Sequence, residues 1–121
     1  MKKTFACVLL VGLIGCGVAE RTHSVADVTK PQTITLNKES SQGGIVSFIV
    51  VAQGHLDGAA EIVLIHADSG KPYRTEHLSG DVDFRWGGEW YSDSAKIEYK
   101  PSSVKSGHLS LQYRFEEIDT W

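Results

Sequence analysis

The sequence predicts an all-β domain that occupies most of the chain. From residue 32 onward, short apolar stretches are interrupted by Gly, Pro, Asp or Ser at a spacing of roughly 8–12 residues, which is typical of small antiparallel sandwiches and barrels. The sequence has no internal repeat, no low-complexity tract and no helical periodicity long enough for a long helix. We therefore expect the 121 residues to contain one small β domain preceded by an N-terminal extension.

The first predicted strands combine alternating and continuous apolar patterns. Gln32–Asn37 alternates apolar and polar residues, as a half-buried strand does. Residues 45–52 and 61–66 are nearly continuous apolar runs, which indicate central strands covered on both faces. The Gly-bounded segment 54–58 is predicted to be the connection between these two strands.

The later predicted strands alternate regularly. A turn cluster at residues 68–72 introduces a strand at residues 73–78. Three further strands follow at residues 81–86, 95–99 and 109–115, the last two with tyrosines on their apolar faces. In the clearest alternation, Val82, Phe84 and Trp86 share one face, and Asp81, Asp83 and Arg85 share the other.

About seven strands in a domain of this size predict a small immunoglobulin-like sandwich, although the cysteine pair of immunoglobulin domains is missing. A small closed β-barrel is the alternative. The two cysteines, Cys7 and Cys16, both lie in the N-terminal extension. The domain at residues 32–121 therefore has no thiol and no disulfide, and its stability must come from its apolar core.

The N-terminal extension begins with the layout of an export signal. Lys2 and Lys3 form a positive start, residues 5–14 are apolar or Gly, and Gly15 immediately precedes Cys16. This apolar run is too short to cross a bilayer, because a membrane-spanning helix needs about 20 apolar residues.

The tetrapeptide Leu13-Ile14-Gly15-Cys16 resembles the lipobox of bacterial lipoproteins. The resemblance implies removal of the signal peptide at residues 1–15 and acylation of Cys16 with fatty acyl chains such as palmitate, which together anchor a protein stably to a membrane. An ordinary secretory signal with an unmodified thiol is the alternative. The residue after Cys16 is Gly17 and not Asp, which by the same resemblance favours the outer membrane, with the domain in the periplasm or at the cell surface.

Residues 16–31 are predicted to be the lipidated cysteine and a flexible tether, because they show no sustained periodicity. An edge strand in part of this segment is the alternative. Loss of the signal peptide removes two of the 12 basic residues against 15 acidic ones, so the processed chain carries a net charge of about −5. Such a chain is repelled by nucleic acid and by anionic headgroups, so we expect membrane contact through the lipid alone.

The most unusual segment is residues 84–93, where aromatic and acidic residues surround a Gly-Gly pair. Exposed aromatic rings anchor protein partners or stack on sugars, and carboxylates accept hydrogen bonds from sugar hydroxyls. The alternative is that the tryptophans point inward and close the end of the sandwich. The candidate partner- or glycan-binding residues are Trp86, Glu89, Trp90, Tyr91 and Asp93.

No catalytic, metal or cofactor site is predicted. Asp81 and Asp83 lie beside Arg85, and two carboxylates on a flat strand offer too few oxygens for calcium. The five histidines are dispersed without zinc-like spacing, and neither a nucleophile motif nor a phosphate-binding loop occurs.

These features predict a membrane-anchored envelope lipoprotein with a non-catalytic domain that binds another protein, as an inhibitor, immunity factor or accessory subunit. A carbohydrate- or peptidoglycan-binding module is the alternative. A hydrolase built on Asp81, Asp83, Glu89 or Asp93 is a third hypothesis, which the spacing of these residues does not favour.

Overall fold

The computed structural model describes residues 20–118, and they form strands and connections without a helix. The signal peptide, Cys16 and residues 17–19 lie outside the described residues. Within residues 20–118 the chain forms no helix with the length and hydropathy needed to cross a membrane. The strands are β1 (Arg21–Ser24), β2 (Gln32–Asn37), β3 (Ile45–Ile65), β4 (Pro72–Glu89), β5 (Ser94–Pro101) and β6 (Ser106–Glu117).

All six strands belong to one antiparallel sheet that is organised around β3. One edge of β3 pairs with β4 over almost its whole length. The other edge pairs first with β6, along Ile45 to Asp57, and then with β5, along Ala60 to Ile65. β1 pairs with β6, and β2 pairs with β5, so the two shortest strands lie at the far edges.

The long hairpin of β3 and β4 bends where its pairing register shifts, between Leu56 and Ala59. The bend divides the sheet into two layers. The first layer holds β1, β6 and the halves of β3 and β4 near Phe48 and Trp86, and the second holds β2, β5 and the remaining halves. Buried side chains from both layers form one hydrophobic cluster. The molecule is therefore a small all-β sandwich made by one sheet that curls over itself.

The structure has six strands where the sequence predicts about seven. The predicted connection at residues 54–58 is part of β3, and the predicted break between residues 78 and 81 is part of β4. Gly58 and Gly80 therefore mark a bend within continuous strands and not the ends of strands. The alternations predicted at residues 81–86, 95–99 and 109–115 are confirmed, since the apolar residues of these segments are buried or packed against the core.

Part of the predicted tether belongs to the folded domain. Arg21–Ser24 forms β1 on the edge of β6, which is the alternative that the sequence leaves open. Beyond β1, Val25 and Val28 are buried and belong to the hydrophobic cluster. Residues 21–25 and Val28 therefore belong to the folded domain and not to a flexible tether. The sequence did not show this strand because four residues are too few for a periodic pattern, and the strand is stabilised by pairing with the longer β6.

The connection between β1 and β2 is held against the core by Tyr99. Its ring is fully buried, and its hydroxyl donates a 2.6 Å hydrogen bond to the backbone oxygen of Val28. Burial raises the pKa of the Tyr99 phenol above its usual value of 10, and the negative charge of Asp27 raises it further. The phenol therefore remains a neutral donor throughout the physiological pH range.

Replacing Tyr99 with phenylalanine should lower the free energy of unfolding by about 1–2 kcal/mol, because the Val28 carbonyl loses its donor. The stability that the raised pKa gives is complete below pH 10 and is lost as the pH rises further, because the unfolded chain ionises first. Urea unfolding at pH 7 and about pH 11 checks both effects. Equal losses of stability in the variant and the wild type at the higher pH would contradict this role of Tyr99.

Candidate functional site

A groove of about 230 Å³, partly open to solvent, lies at one end of the sandwich. One wall comes from the β3–β4 connection and the other from the β4–β5 connection. A recess that shares Tyr73, Glu89 and Trp90 with the groove extends it toward Arg74. Both ends of β4 thus contribute to one site, because the bend of the β3–β4 hairpin returns the strand to the same end of the molecule.

Trp90 forms the floor of the groove and is fixed on several sides. Its backbone N–H donates to the oxygen of Val46 at 3.1 Å, and its indole Nε1 donates to the oxygen of Ser94 at 2.9 Å. Its ring packs against Phe48 at a centroid distance of 5.8 Å. The indole is only 7% exposed, so it supports the groove from below.

The ring of Tyr73 packs against Trp90 and is partly exposed to solvent. Its ring meets Trp90 edge-on at 6.1 Å and meets His66 at 5.6 Å, while the guanidinium of Arg74 lies 5.6 Å from its centre. Tyr73 remains 48% exposed. A binding surface built on an immobilised aromatic ring loses little conformational entropy when a partner covers it.

The two connections that form the walls are ordered by local hydrogen bonds. His66 exchanges backbone hydrogen bonds with Gly70 and Lys71 at 2.9 and 2.7 Å, and the φ angle of Gly70 is +73°, which is accessible to glycine in a tight turn. On the opposite wall, the oxygen of Asp93 accepts a 2.9 Å hydrogen bond from the backbone N–H of Lys38. The same two residues form an ion pair at 3.5 Å.

The structure separates the predicted site residues into two groups. Trp86 and Trp90 are 6% and 7% exposed and belong to the core, so neither can stack on a sugar or insert into a partner. This corrects the prediction that they are contact residues, and it agrees with the alternative in which they point inward. Tyr91 is 71% exposed, and Glu89 and Asp93 are also exposed, so these three remain available for binding.

Sequence reasoning did not identify Tyr73 and Arg74 as site residues. Both begin β4, while Glu89 ends it, and they lie together only because the strand bends at Gly80. The turn residues before Tyr73 were the one available signal, since an aromatic residue next to a tight turn is often exposed at the end of a sheet.

The remaining candidate residues lie away from the groove. Asp81, Asp83 and Arg85 are exposed on the outer face of the first layer. A 2.8 Å hydrogen bond joins His55 Nδ1 and Asp81 Oδ1 across β3 and β4. Among residues 20–118, no group of three or more potential ligands is placed to hold a metal ion.

The described chain enters the domain part-way along the first layer, three residues from the row of Glu89, which lines the groove. Strand pairing places four residues in one row across the first layer: Arg21 of β1, Tyr113 of β6, Val50 of β3 and Trp86 of β4. From Arg21 toward Ser24, β1 runs away from the groove. With a strand spacing of about 4.8 Å, Arg21 lies roughly 15 Å from Trp86 across the sheet, and Glu89, which lines the groove, is three residues farther along β4.

Comparison with known proteins identifies the fold but no family. The sequence matches no model of a known protein family, and no curated protein is significantly similar to it. The structure is similar to the crystal structure of the Yersinia pseudotuberculosis-derived mitogen, with a TM-score of 0.52 and 18% sequence identity. The similarity covers 86% of this chain and 90% of that chain. At this level of identity it supports the all-β architecture alone.

Proposed function

We propose that this protein is a membrane-anchored bacterial envelope lipoprotein whose sandwich domain binds another protein through the groove. One observation carries the proposal. The described residues contain three exposed large hydrophobic side chains, and two of them, Tyr73 and Tyr91, line this one groove. Tyrosines that are exposed together above a rigid aromatic floor are typical of protein-binding hot spots.

Charged groups around the tyrosines support a polar rim. Asp68 and Glu89 line the groove, and Arg74 borders the adjoining recess. Charges at the rim of an interface contribute mainly to the association rate and the choice of partner, and salt screens them. Binding should therefore weaken moderately as the salt concentration rises.

A protein partner is favoured over a carbohydrate by the burial of both indoles. Among residues 20–118, Trp86 and Trp90 have the largest flat rings for sugar stacking, and both are buried in the core. Tyr73 meets Trp90 edge-on and does not form with it a continuous platform. The groove thus presents individual aromatic side chains rather than one flat platform, and individual aromatic contacts are typical of protein–protein interfaces.

The proposed role is non-catalytic. The acids of the hydrolase hypothesis are separated in the structure: Glu89 lines the groove, Asp93 pairs with Lys38 beside it, and Asp81 and Asp83 lie on the outer face. A general acid and a general base must both reach one substrate bond, and this arrangement does not bring the two pairs together. Binding and anchoring therefore explain the geometry with fewer assumptions than hydrolysis does.

Replacing both Tyr73 and Tyr91 with alanine should remove the main partner from a pull-down with detergent-solubilised envelope. Each truncation at a hot spot costs about 2 kcal/mol or more, so the double variant should bind at least several hundredfold more weakly. Quantitative mass spectrometry of the captured proteins measures the loss.

The matched control replaces His55 and His108 with alanine, because these two exposed side chains lie opposite each other at the far end of the first layer. This variant should capture the same proteins as the wild type. Unchanged capture by the tyrosine variant, with a native circular dichroism spectrum, would contradict the groove as the binding site. Specific retention of peptidoglycan fragments in place of protein would favour the glycan-binding alternative.

A further inference from the structure

We infer that the partner of the groove is a protein embedded in the same membrane that holds the lipid anchor. The inference rests on the proposed function and adds the class and location of the partner. It follows from where the chain enters the domain, from which end of the domain exposes apolar side chains, and from the charge of the groove.

The first step is the short distance between the anchor and β1. Four residues, 17–20, separate Cys16 from Arg21, and the five Cα-to-Cα steps between them span at most about 18 Å when fully extended. Because β1 runs away from the groove, the chain enters this strand from the groove side, and a lipid on Cys16 would hold this end of the sandwich toward the bilayer. The far end, with His55 and His108, would point away from it.

The second step is the distribution of exposed apolar side chains. The third large hydrophobic residue exposed in the described part of the chain is Ile118, at 54%. Its backbone N–H donates a 2.9 Å hydrogen bond to Gly44, next to the start of β3 and on the same end as the groove. Tyr73, Tyr91 and Ile118 thus all lie on the end that faces the anchor, where a membrane protein is within reach.

The third step distinguishes a protein from the lipid surface itself. The groove is lined by two carboxylates, Asp68 and Glu89, while Arg74 borders only the adjoining recess, so the groove has no cluster of basic residues. Anionic headgroups bind to clusters of basic residues and are repelled by carboxylates. A membrane protein that presents aromatic and basic side chains at the bilayer surface matches the groove better than the headgroups do.

Photocrosslinking in the intact envelope tests the inference. The full-length chain is produced with the photoreactive residue p-benzoylphenylalanine in place of Tyr91, which keeps an aromatic ring at the site. The matched control carries the same residue in place of His55, at the far end of the domain. After irradiation, crosslinked products are separated into proteins that alkaline carbonate releases from the membrane and proteins that it does not.

We expect the label at position 91 to crosslink a protein that resists carbonate extraction, and the label at position 55 to crosslink it at least several-fold less. Inserting about ten Gly and Ser residues between Val18 and Ala19 should lower the yield several-fold, because the groove then spends less time near the membrane.

A crosslinked protein that carbonate releases, or a yield that the longer tether leaves unchanged, would overturn the inference while the proposed function stands. Adducts with lipid alone would overturn both, in favour of a lipid-binding surface. Equal labelling patterns from positions 91 and 55 would remove the groove as a binding site and the inference with it.

Discussion

Replacing Gly58 with alanine should destabilise the domain by roughly 3–5 kcal/mol, a large part of the total stability of a small domain. Gly58 has a φ angle of +130°, which residues with a Cβ atom rarely adopt. An added methyl group would also overlap the backbone oxygen of Ser103 and would lie 2.7 Å from the Cα atom of Val104. Both costs arise at the bend of β3.

The neighbouring chain cannot move away to accommodate this methyl group. The connection between β5 and β6 is hydrogen-bonded to β3 on both sides of Gly58. The N–H groups of Ser102 and Ser103 donate to the oxygen of Ala59 at 2.9 and 3.1 Å, and the N–H of Lys105 donates to the oxygen of Asp57 at 2.9 Å. A shift that relieved the overlap would break these bonds and expose the buried Val104.

Two other glycines provide matched controls. Gly80 has a φ angle of +67° but no atom within 4 Å of the added methyl position, so alanine there should cost about 1 kcal/mol from the backbone alone. Gly44 has no such strain and meets only Ile118 at 3.9 Å, so its substitution should change stability by about 0.5 kcal/mol or less. Chemical denaturation should therefore show the largest loss of stability for the Gly58 variant, a smaller loss for the Gly80 variant and the smallest for the Gly44 variant. A Gly58 variant as stable as the Gly80 variant would show that the structure relieves the overlap and would contradict this prediction.

The same bend explains which parts of the fold could be predicted from the sequence. The alternation at residues 81–86 fixes which side chains face the core, because strand periodicity depends only on neighbouring residues. Whether Gly58 ends a strand or bends it depends on Ser103, which is far away in the sequence and approaches only after folding. The structure therefore has six strands where about seven were predicted, and the all-β class is confirmed.

The candidate site shows the same limit. Tyr91 was identified from its position in an aromatic segment, and its exposure is consistent with that interpretation. Trp90 is its immediate neighbour but follows the last residue of β4, where the alternation no longer determines the direction of a side chain. Tyr73 joined the site only through the tertiary bend of β4. Local patterns could therefore locate one wall of the groove and Trp90, but they could not show that Trp90 is a buried floor, and they did not locate the second wall.

Replacing Trp90 with alanine should lower the free energy of unfolding by roughly 3–5 kcal/mol, as expected for a large aromatic side chain removed from a core. The substitution removes the packing of the indole against Phe48, 5.8 Å away between ring centroids, and the edge contact with Tyr73. It also leaves the backbone oxygen of Ser94 without the indole N–H that donates to it at 2.9 Å. The floor of the groove would be lost together with stability.

The adjacent residue provides the control for this prediction. Replacing Tyr91 with alanine should change stability by about 0.5 kcal/mol or less, because the side chain is 71% exposed, yet it should weaken partner binding. Thermal unfolding and the pull-down, measured on both variants, separate the two roles. If Trp90→Ala kept the wild-type melting temperature and lost only binding, the indole would be a contact residue and its place in the core would be refuted. If Tyr91→Ala unfolded as readily as Trp90→Ala, the tyrosine would be part of the framework, and the groove would lose the side chain on which its proposed function depends most.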